Sequence, residues 1–215
     1  YGGDLGSTRY SSLDQVNRDN VKNLKPAWTW KSDNFGRPEF KNETTPIMAN
    51  GMLYFTAGDR RAVVAADPGT GETIWVWRPN EGERYEKAPR RNSGRGVAFW
   101  SDGRDERIFT VTPGFQLVAL NAKTGAPVPG FAQDGVVDLF KQLDLDGNLD
   151  PIGRIGNSSP PVVAKDVVIV GPALVIGLRA NKENVKADIM GFDARTGKKL
   201  WTIHTIPRKG EPGYE

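Results

Sequence analysis

Short apolar runs, rather than long amphipathic ones, dominate the hydrophobic pattern of this chain. IMANGMLYFTA (47–57) reads as two strands around an Asn-Gly turn, and RIFTVTPGFQLVAL (107–120) as two strands around Pro-Gly. PVVAKDVVIVG (161–171) reads as two strands around Lys-Asp. Helical periodicity is confined to SLDQVNRDNVKNL (12–24), which predicts one short helix or turn with Val16, Val21 and Leu24 roughly on one side.

These runs accompany a frame that the chain writes three times: AADPGTGETIW (65–75), ALNAKTGAPVP (119–129) and GFDARTGKKLW (191–201). The Thr-Gly pairs at 70–71, 124–125 and 196–197 lie 54 and 72 residues apart, irregular spacing that suits blades with variable loops better than a helical solenoid. Asp67, Asn121 and Asp193 can accept hydrogen bonds from the turn backbone, and the glycine can take positive φ. The unit is therefore strand, turn, strand, turn, strand, Thr-Gly turn, strand. Four antiparallel strands per unit predict an all-β fold, an antiparallel β-propeller fragment of about three blades within one domain over residues 1–215. Trp75 and Trp201, just past the turn, are expected to wedge between neighbouring sheets, with Trp201 partly exposed where it borders the missing fourth blade. Three blades cannot close a ring, so the chain is expected to be part of a longer propeller or to assemble with others. An open β-sandwich with coincidental Thr-Gly turns is the alternative architecture.

Composition narrows the function classes. The 215 residues are 38% hydrophobic, enough for a sizeable core, and the 25 glycines and 15 prolines favour many turns. With no cysteine there is neither a disulfide nor a thiolate metal site. A net charge of +3 with both signs interspersed argues against a nucleic-acid partner. No apolar run reaches the roughly 20 residues of a membrane span. The chain opens on Tyr1 rather than Met, as expected of a trimmed or fragmentary sequence.

The repeated frame resembles the tryptophan docking motif Ala-x-Asp-x-x-x-Gly-x-x-x-Trp of the quinoproteins, the dehydrogenases dependent on pyrroloquinoline quinone (PQQ). Residues 65–75 fit it; 191–201 fit except for Gly191 in place of Ala; 119–129 depart at Asn121 and Pro129. YGGDLGSTRYSSLDQVNRDNVKNLKPAWTW is similar to the family's opening segment and NETTPIMANGMLYFTA to its first-blade strands. NSGRGVAFW and NSSPPVVAKDVVIV are similar to the next two cofactor-side segments, and HTIPRKGEPGYE resembles the glucose dehydrogenase-like branch. The resemblance implies the first three blades of an eight-bladed ring with PQQ near its axis beside a calcium ion. It implies oxidation of an alcohol or of a sugar's anomeric carbon, with hydride passing to the quinone and calcium polarising its carbonyl. It further implies a quinone or cytochrome electron acceptor and a periplasmic location, with any membrane attachment in regions outside the chain.

Carried over residue by residue, the resemblance places a PQQ-binding arginine at Arg95, flanked by Gly94 and Gly96, which would let the backbone come close. A guanidinium can fork onto a carboxylate or quinone oxygen. Glu43 in NETTP matches a glutamate that hydrogen-bonds PQQ, with Thr44 and Thr45 as neighbouring donors. Asn157, Ser158 and Ser159 match a position that offers a hydroxyl to a PQQ carboxylate, and which of the three points inward is left to the register. Without the family, Arg95 reads as a surface loop arginine beside Arg90, Arg91 and Arg104, Glu43 as an exposed acid before a strand, and 157–159 as a polar turn before Pro160.

Two departures stand out. Adjacent cysteines that many alcohol-oxidising members carry before this arginine are replaced by Pro89 and Arg90. A calcium-binding glutamate aligns near Val175, which cannot bind a hard cation, and Glu183 reads as a loop acid. Asp144, Asp146, Asn148 and Asp150 alternate oxygens around Gly147, yet the twelfth position of an EF-hand loop begun at Asp144 is Ile155 rather than Glu, so a solvated turn is expected. The lone His204 carries no catalytic signature. The family's catalytic Asp and downstream calcium-binding Asn come from later blades, so no catalytic residue is assigned here and the polypeptide alone is expected to be inactive. The competing function is a non-enzymatic propeller of the same repeat acting as a scaffold, as in outer-membrane assembly lipoproteins. A WD-like protein-binding propeller lacks support, because its Gly-His and Trp-Asp dipeptides are missing from the chain.

Overall fold

The computed structural model describes residues 6–32, 35, 39, 41–145, 149–175 and 185–214. Asp146, Gly147, Asn148 and Glu183 lie outside them.

Three four-stranded antiparallel sheets follow one another along the chain. The first runs in order through β1 (Ile47–Ala49), β2 (Met52–Ala57), β3 (Ala62–Ala66) and β4 (Thr73–Trp77). The second comprises β5 (Ala98–Ser101), β6 (Glu106–Val111), β7 (Gln116–Asn121) and β8 (Val136–Asp138). After a short strand β9 (Ile155–Gly156), the third contains β10 (Val162–Ala164), β11 (Val167–Val170), β13 (Ile189–Asp193) and β14 (Lys199–Ile203). A two-residue β12 (Ala173–Leu174) pairs with β9 instead. The predicted Asn-Gly turn joins β1 to β2 with Asn50 and Gly51 both at positive φ (48° and 78°), the hairpin geometry that matches strand twist.

Alternation within strands shows how the sheets stack. On β3, Val63 and Ala65 pack towards the second sheet, with Ile108, Val118 and Leu120, whereas Val64 and Ala66 pack with Phe55 and the N-terminal Trp30 and Phe35. On β7, Val118 and Leu120 face the first sheet, whereas Leu117 and Ala119 join Phe109, Phe131, Val168, Met190 and Phe192 towards the third. The middle sheet is covered on both faces, as a blade between two blades must be.

The three Thr-Gly turns are built alike. Asp67 Oδ1 accepts from the Gly69 and Thr70 amides (2.9 and 2.7 Å) and the Thr70 hydroxyl (3.0 Å). Asp193 does the same for Arg195 and Thr196, and Asn121 accepts from the Lys123 and Thr124 amides alone. Each Thr-Gly glycine is then a seat for a neighbouring element. Trp75 sits over Gly125 of the next blade and donates its indole N–H to the Ala122 carbonyl at 2.9 Å. Trp28 from the N-terminal segment sits over Gly71 in the same way and donates to the Pro68 carbonyl at 3.0 Å.

The second and third blades dock differently, because Pro129 stands where the indole would be. The chain detours through 130–135 before β8, with isolated bridges between Leu120 and Pro127 and between Gln133 and Val136. Gly197 is covered by Ala132 and Val137, and the Ala132 amide donates to the Thr196 carbonyl at 2.8 Å. Trp201 lies on the last strand of the third sheet, with no further sheet beside it among the described residues. It is half-buried over Gly191, its cross-strand partner, where a Cβ would come within 2.2 Å of the ring. That packing explains why Gly191 stands where the motif has alanine. In the 12–24 stretch only a 3₁₀ turn forms at Val21–Asn23, and Val16, Val21 and Leu24 remain exposed.

Candidate functional site

In each blade the first strand enters from a polar segment: 42–46 before β1, 92–97 before β5 and 157–161 before β10. The structure joins these segments, far apart in sequence, by backbone hydrogen bonds. The Thr45 amide donates to the Arg95 carbonyl at 3.0 Å, and the Arg95 amide donates to the Ser158 carbonyl at 2.9 Å. The sequence-predicted residues therefore converge at one end of the innermost strands.

Gly96 permits the first of these contacts: it lies at φ 124°, and a Cβ there would stand 2.7 Å from the Thr45 carbonyl oxygen. Gly94 lies at φ 66°, and a Cβ there would stand 2.6 Å from Nε of Arg61. The close approach these glycines allow is to the protein's own backbone and to Arg61.

The side chains divide into those spent on structure and those left available. The Arg95 side chain is 55% exposed, with one guanidinium nitrogen 3.9 Å from a Glu43 oxygen. Glu43 also pairs with Lys41 at 3.0 Å, and the Lys41 hydrogen bond, helped by the Lys41 and Arg95 charges, holds its carboxyl below the usual range against the opposing effect of burial. Thr44 is turned into its blade: its hydroxyl accepts from the Thr56 amide at 3.1 Å and bonds the Thr56 hydroxyl. Asn157 is the buried member of its triplet. Its amide nitrogen donates to the Gly171 carbonyl at 2.7 Å, and its carbonyl oxygen Oδ1 is buried with no partner. Ser158 is half-buried and Ser159 exposed.

Beneath this surface lies a residue the sequence pattern did not single out. Arg61, on the turn between β2 and β3, is 2% exposed. It donates to the carbonyls of Arg90 (2.9 Å), Asn92 (3.3 Å), Val111 (2.8 Å) and Asn157 (2.7 Å). Burial pushes its guanidinium down to about 10, while the Glu81 carboxylate pulls the other way, so it is charged at neutral pH. Composition could not separate it from Arg60, its exposed neighbour at the same hairpin tip.

The donor set suits an anionic, carboxylate-rich ligand such as PQQ. An exposed guanidinium can take a carboxylate, and the orphaned Asn157 oxygen can take a ligand N–H or a bridging water. Among the described residues it offers no ready seat for calcium. Val175 brings no side-chain oxygen, its amide being held by the Arg154 carbonyl at 2.9 Å. Among the described residues no group of three or more His, Cys, Asp or Glu could hold a metal. Asp144 pairs with Arg208, and Asp150 accepts from the Ile152 amide, so neither is poised as a ligand. Of Pro89 and Arg90, which stand in the place of the cysteine pair, Arg90 donates to the Leu174 carbonyl at 2.8 Å.

Comparison with known proteins agrees with this geometry. Residues 1–215 match the family described as PQQ, glucose/ethanol/alcohol dehydrogenase, beta-propeller domain. The glycerol dehydrogenase large subunit of Gluconobacter oxydans (strain 621H) is 32% identical over 212 residues, 94% of this chain and 27% of that protein. Quinoprotein glucose dehydrogenase A of Acinetobacter calcoaceticus is 31% identical over 231 residues, 95% of this chain and 27% of that protein. The crystal structure of quinohemoprotein alcohol dehydrogenase from Comamonas testosteroni superposes with a TM-score of 0.73 at 28% identity, covering 100% of this chain and 28% of that one. The chain thus spans just over a quarter of the length of each of these relatives.

Proposed function

Because this chain belongs to the PQQ glucose/ethanol/alcohol dehydrogenase β-propeller family, we propose that it forms three blades of a single propeller domain in an enzyme that oxidises a sugar or an alcohol with PQQ. The observation that carries this reading is the backbone relay from Thr45 through Arg95 to Ser158, which sets the exposed Arg95 guanidinium beside Glu43 at the inner strand ends. When bound, PQQ supplies the two-electron acceptor for a hydroxyl-bearing substrate, and a quinone or cytochrome takes the electrons onward.

The chain's own residues bind and orient. Arg95 offers a forked pair of N–H donors to a carboxylate. Glu43, its charge compensated by Lys41 and Arg95, offers an acceptor next to that fork. Asn157 holds a fixed acceptor on the floor, because its amide nitrogen is anchored to the Gly171 carbonyl. The general base belongs to parts of the ring outside this chain. A scaffold propeller accounts for stacked blades but gives no reason for an exposed guanidinium, a compensated carboxylate and an orphaned buried oxygen at one end.

The test is a titration of the intact protein, freed of cofactor, with PQQ, followed by dye reduction with a panel of aldoses, polyols and simple alcohols. Saturable PQQ binding and PQQ-dependent dye reduction are expected. A protein that binds no PQQ would overturn the reading.

A further inference from the structure

Arg61 takes part in no reaction, yet its four acceptors are not scattered. Arg90 and Asn92 lead into the loop that carries Arg95, and Asn157 immediately precedes Ser158, whose carbonyl receives the Arg95 amide. Val111 closes β6, the strand beside β5. One side chain from the first blade thus grips the loop before the second blade and the loop before the third. The Asn92 amide reinforces the grip by donating to the Asp59 carbonyl at 2.9 Å. Gly94 leaves room for the Arg61 shaft, since a Cβ there would come within 2.6 Å of Nε.

We infer that Arg61 is the positioning residue of the cofactor cradle: by tying the carbonyls on both sides of the Arg95–Ser158 contact, it sets where the Arg95 guanidinium points. The inference rests on the PQQ reading above. A planar guanidinium carries five N–H groups in a fixed fork and can tie its own blade to four carbonyls of the next two at once. A lysine has three donors on one nitrogen and cannot span them.

A matched control lies at the other end of the blades. Arg107 is also buried and grips backbone, donating to the Ala194 and Arg195 carbonyls at 2.9 and 2.6 Å. It pairs with Trp100 near the far end of β5, away from Arg95. Loss of either arginine strips buried carbonyls of their donors and lowers stability, but only Arg61 touches the Arg95 loop.

The experiment compares Arg61→Met, Arg61→Lys and Arg107→Met in the intact protein by PQQ titration, thermal unfolding and amide hydrogen exchange. Arg61→Met is expected to weaken PQQ binding about tenfold or more, the scale seen when groups that orient direct ligands are removed. Arg61→Lys should fall between it and wild type. In both, the Thr45 and Arg95 amides should exchange faster. Arg107→Met should lower the unfolding temperature with PQQ affinity unchanged. If Arg61→Met does not fold, Arg61→Lys decides. Wild-type affinity in a folded Arg61 variant overturns the inference, and so does an equal loss of affinity in Arg107→Met. Wild-type protein that binds no PQQ would defeat the cofactor reading itself. Hydrogen exchange then still decides whether Arg61 holds the loop, and unchanged rates at Thr45 and Arg95 overturn that too.

Discussion

Trp75 of the first blade rests against Gly125 of the second so closely that a Cβ on the glycine would come within 2.5 Å of the indole. Gly125 also lies at φ 71°, where a side chain is strained on its own account. Gly197 has nearly the same φ, 73°, but is covered by Ala132 and Val137 at 3.0 and 3.1 Å rather than by a ring. Comparing the two therefore separates the backbone cost from the docking cost. Gly125→Ala should destabilise the intact protein by about 2–4 kcal/mol, backbone strain plus overpacking. Gly197→Ala should cost about 1–2 kcal/mol, mostly strain. Chemical unfolding of both variants checks this, and equal losses would remove Trp75 from its docking role.

The blades were legible in the sequence because their determinants are local. Asn50-Gly51 and the Thr-Gly frames specify turns within a few residues, and the apolar runs between them alternate with the pleat. The convergence of Glu43, Arg95 and Asn157 was legible too, since each sits just before the first strand of a blade and inner strands of adjacent blades lie side by side. Arg61 was not legible, because its burial depends on carbonyls up to 96 residues away. An Arg-Arg pair at a hairpin tip reads as solvated whichever member turns inward. Trp28 carries no docking frame around it, and its seat on Gly71 follows from where the N-terminal segment packs. The detour through 130–135 could be anticipated only as a departure at Pro129, not as a replacement contact through Ala132.

Arg95 bears on binding more than on folding. Its side chain is mostly exposed, and the Glu43 carboxylate beside it is 3.9 Å away. Arg95→Ala should leave stability within about 0.5 kcal/mol of wild type, as for other surface substitutions. It should weaken PQQ binding by about 1.5–3 kcal/mol, the range for hydrogen bonds to charged groups. Arg95→Lys should recover only part of that, since a point charge does not reproduce the fork. Fluorescence titration with PQQ measures both. Full rescue by lysine would show that charge, rather than forked geometry, holds the ligand.

The three turns should part company in acid. The Thr70 amide, then its hydroxyl, hold the Asp67 carboxyl below the ordinary aspartate range. For Asp193, burial acts upward, but the Thr196 hydroxyl and amide outweigh it and the net shift is again downward. A carboxyl with a lowered folded pKa stabilises fully above the unfolded value of about 3.9, and that contribution is lost as pH falls through the folded pKa. Asn121 accepts from the Lys123 and Thr124 amides with an uncharged oxygen and does not titrate in this range. On acidification the Thr70 and Thr196 amide resonances should therefore shift with midpoints below about 3.9, while the Thr124 amide shows no such step. Asp67→Asn should abolish the step at Thr70 and leave the one at Thr196. A Thr70 midpoint at or above the unfolded aspartate value would mean that the Asp67 carboxylate does not hold this turn in its charged form.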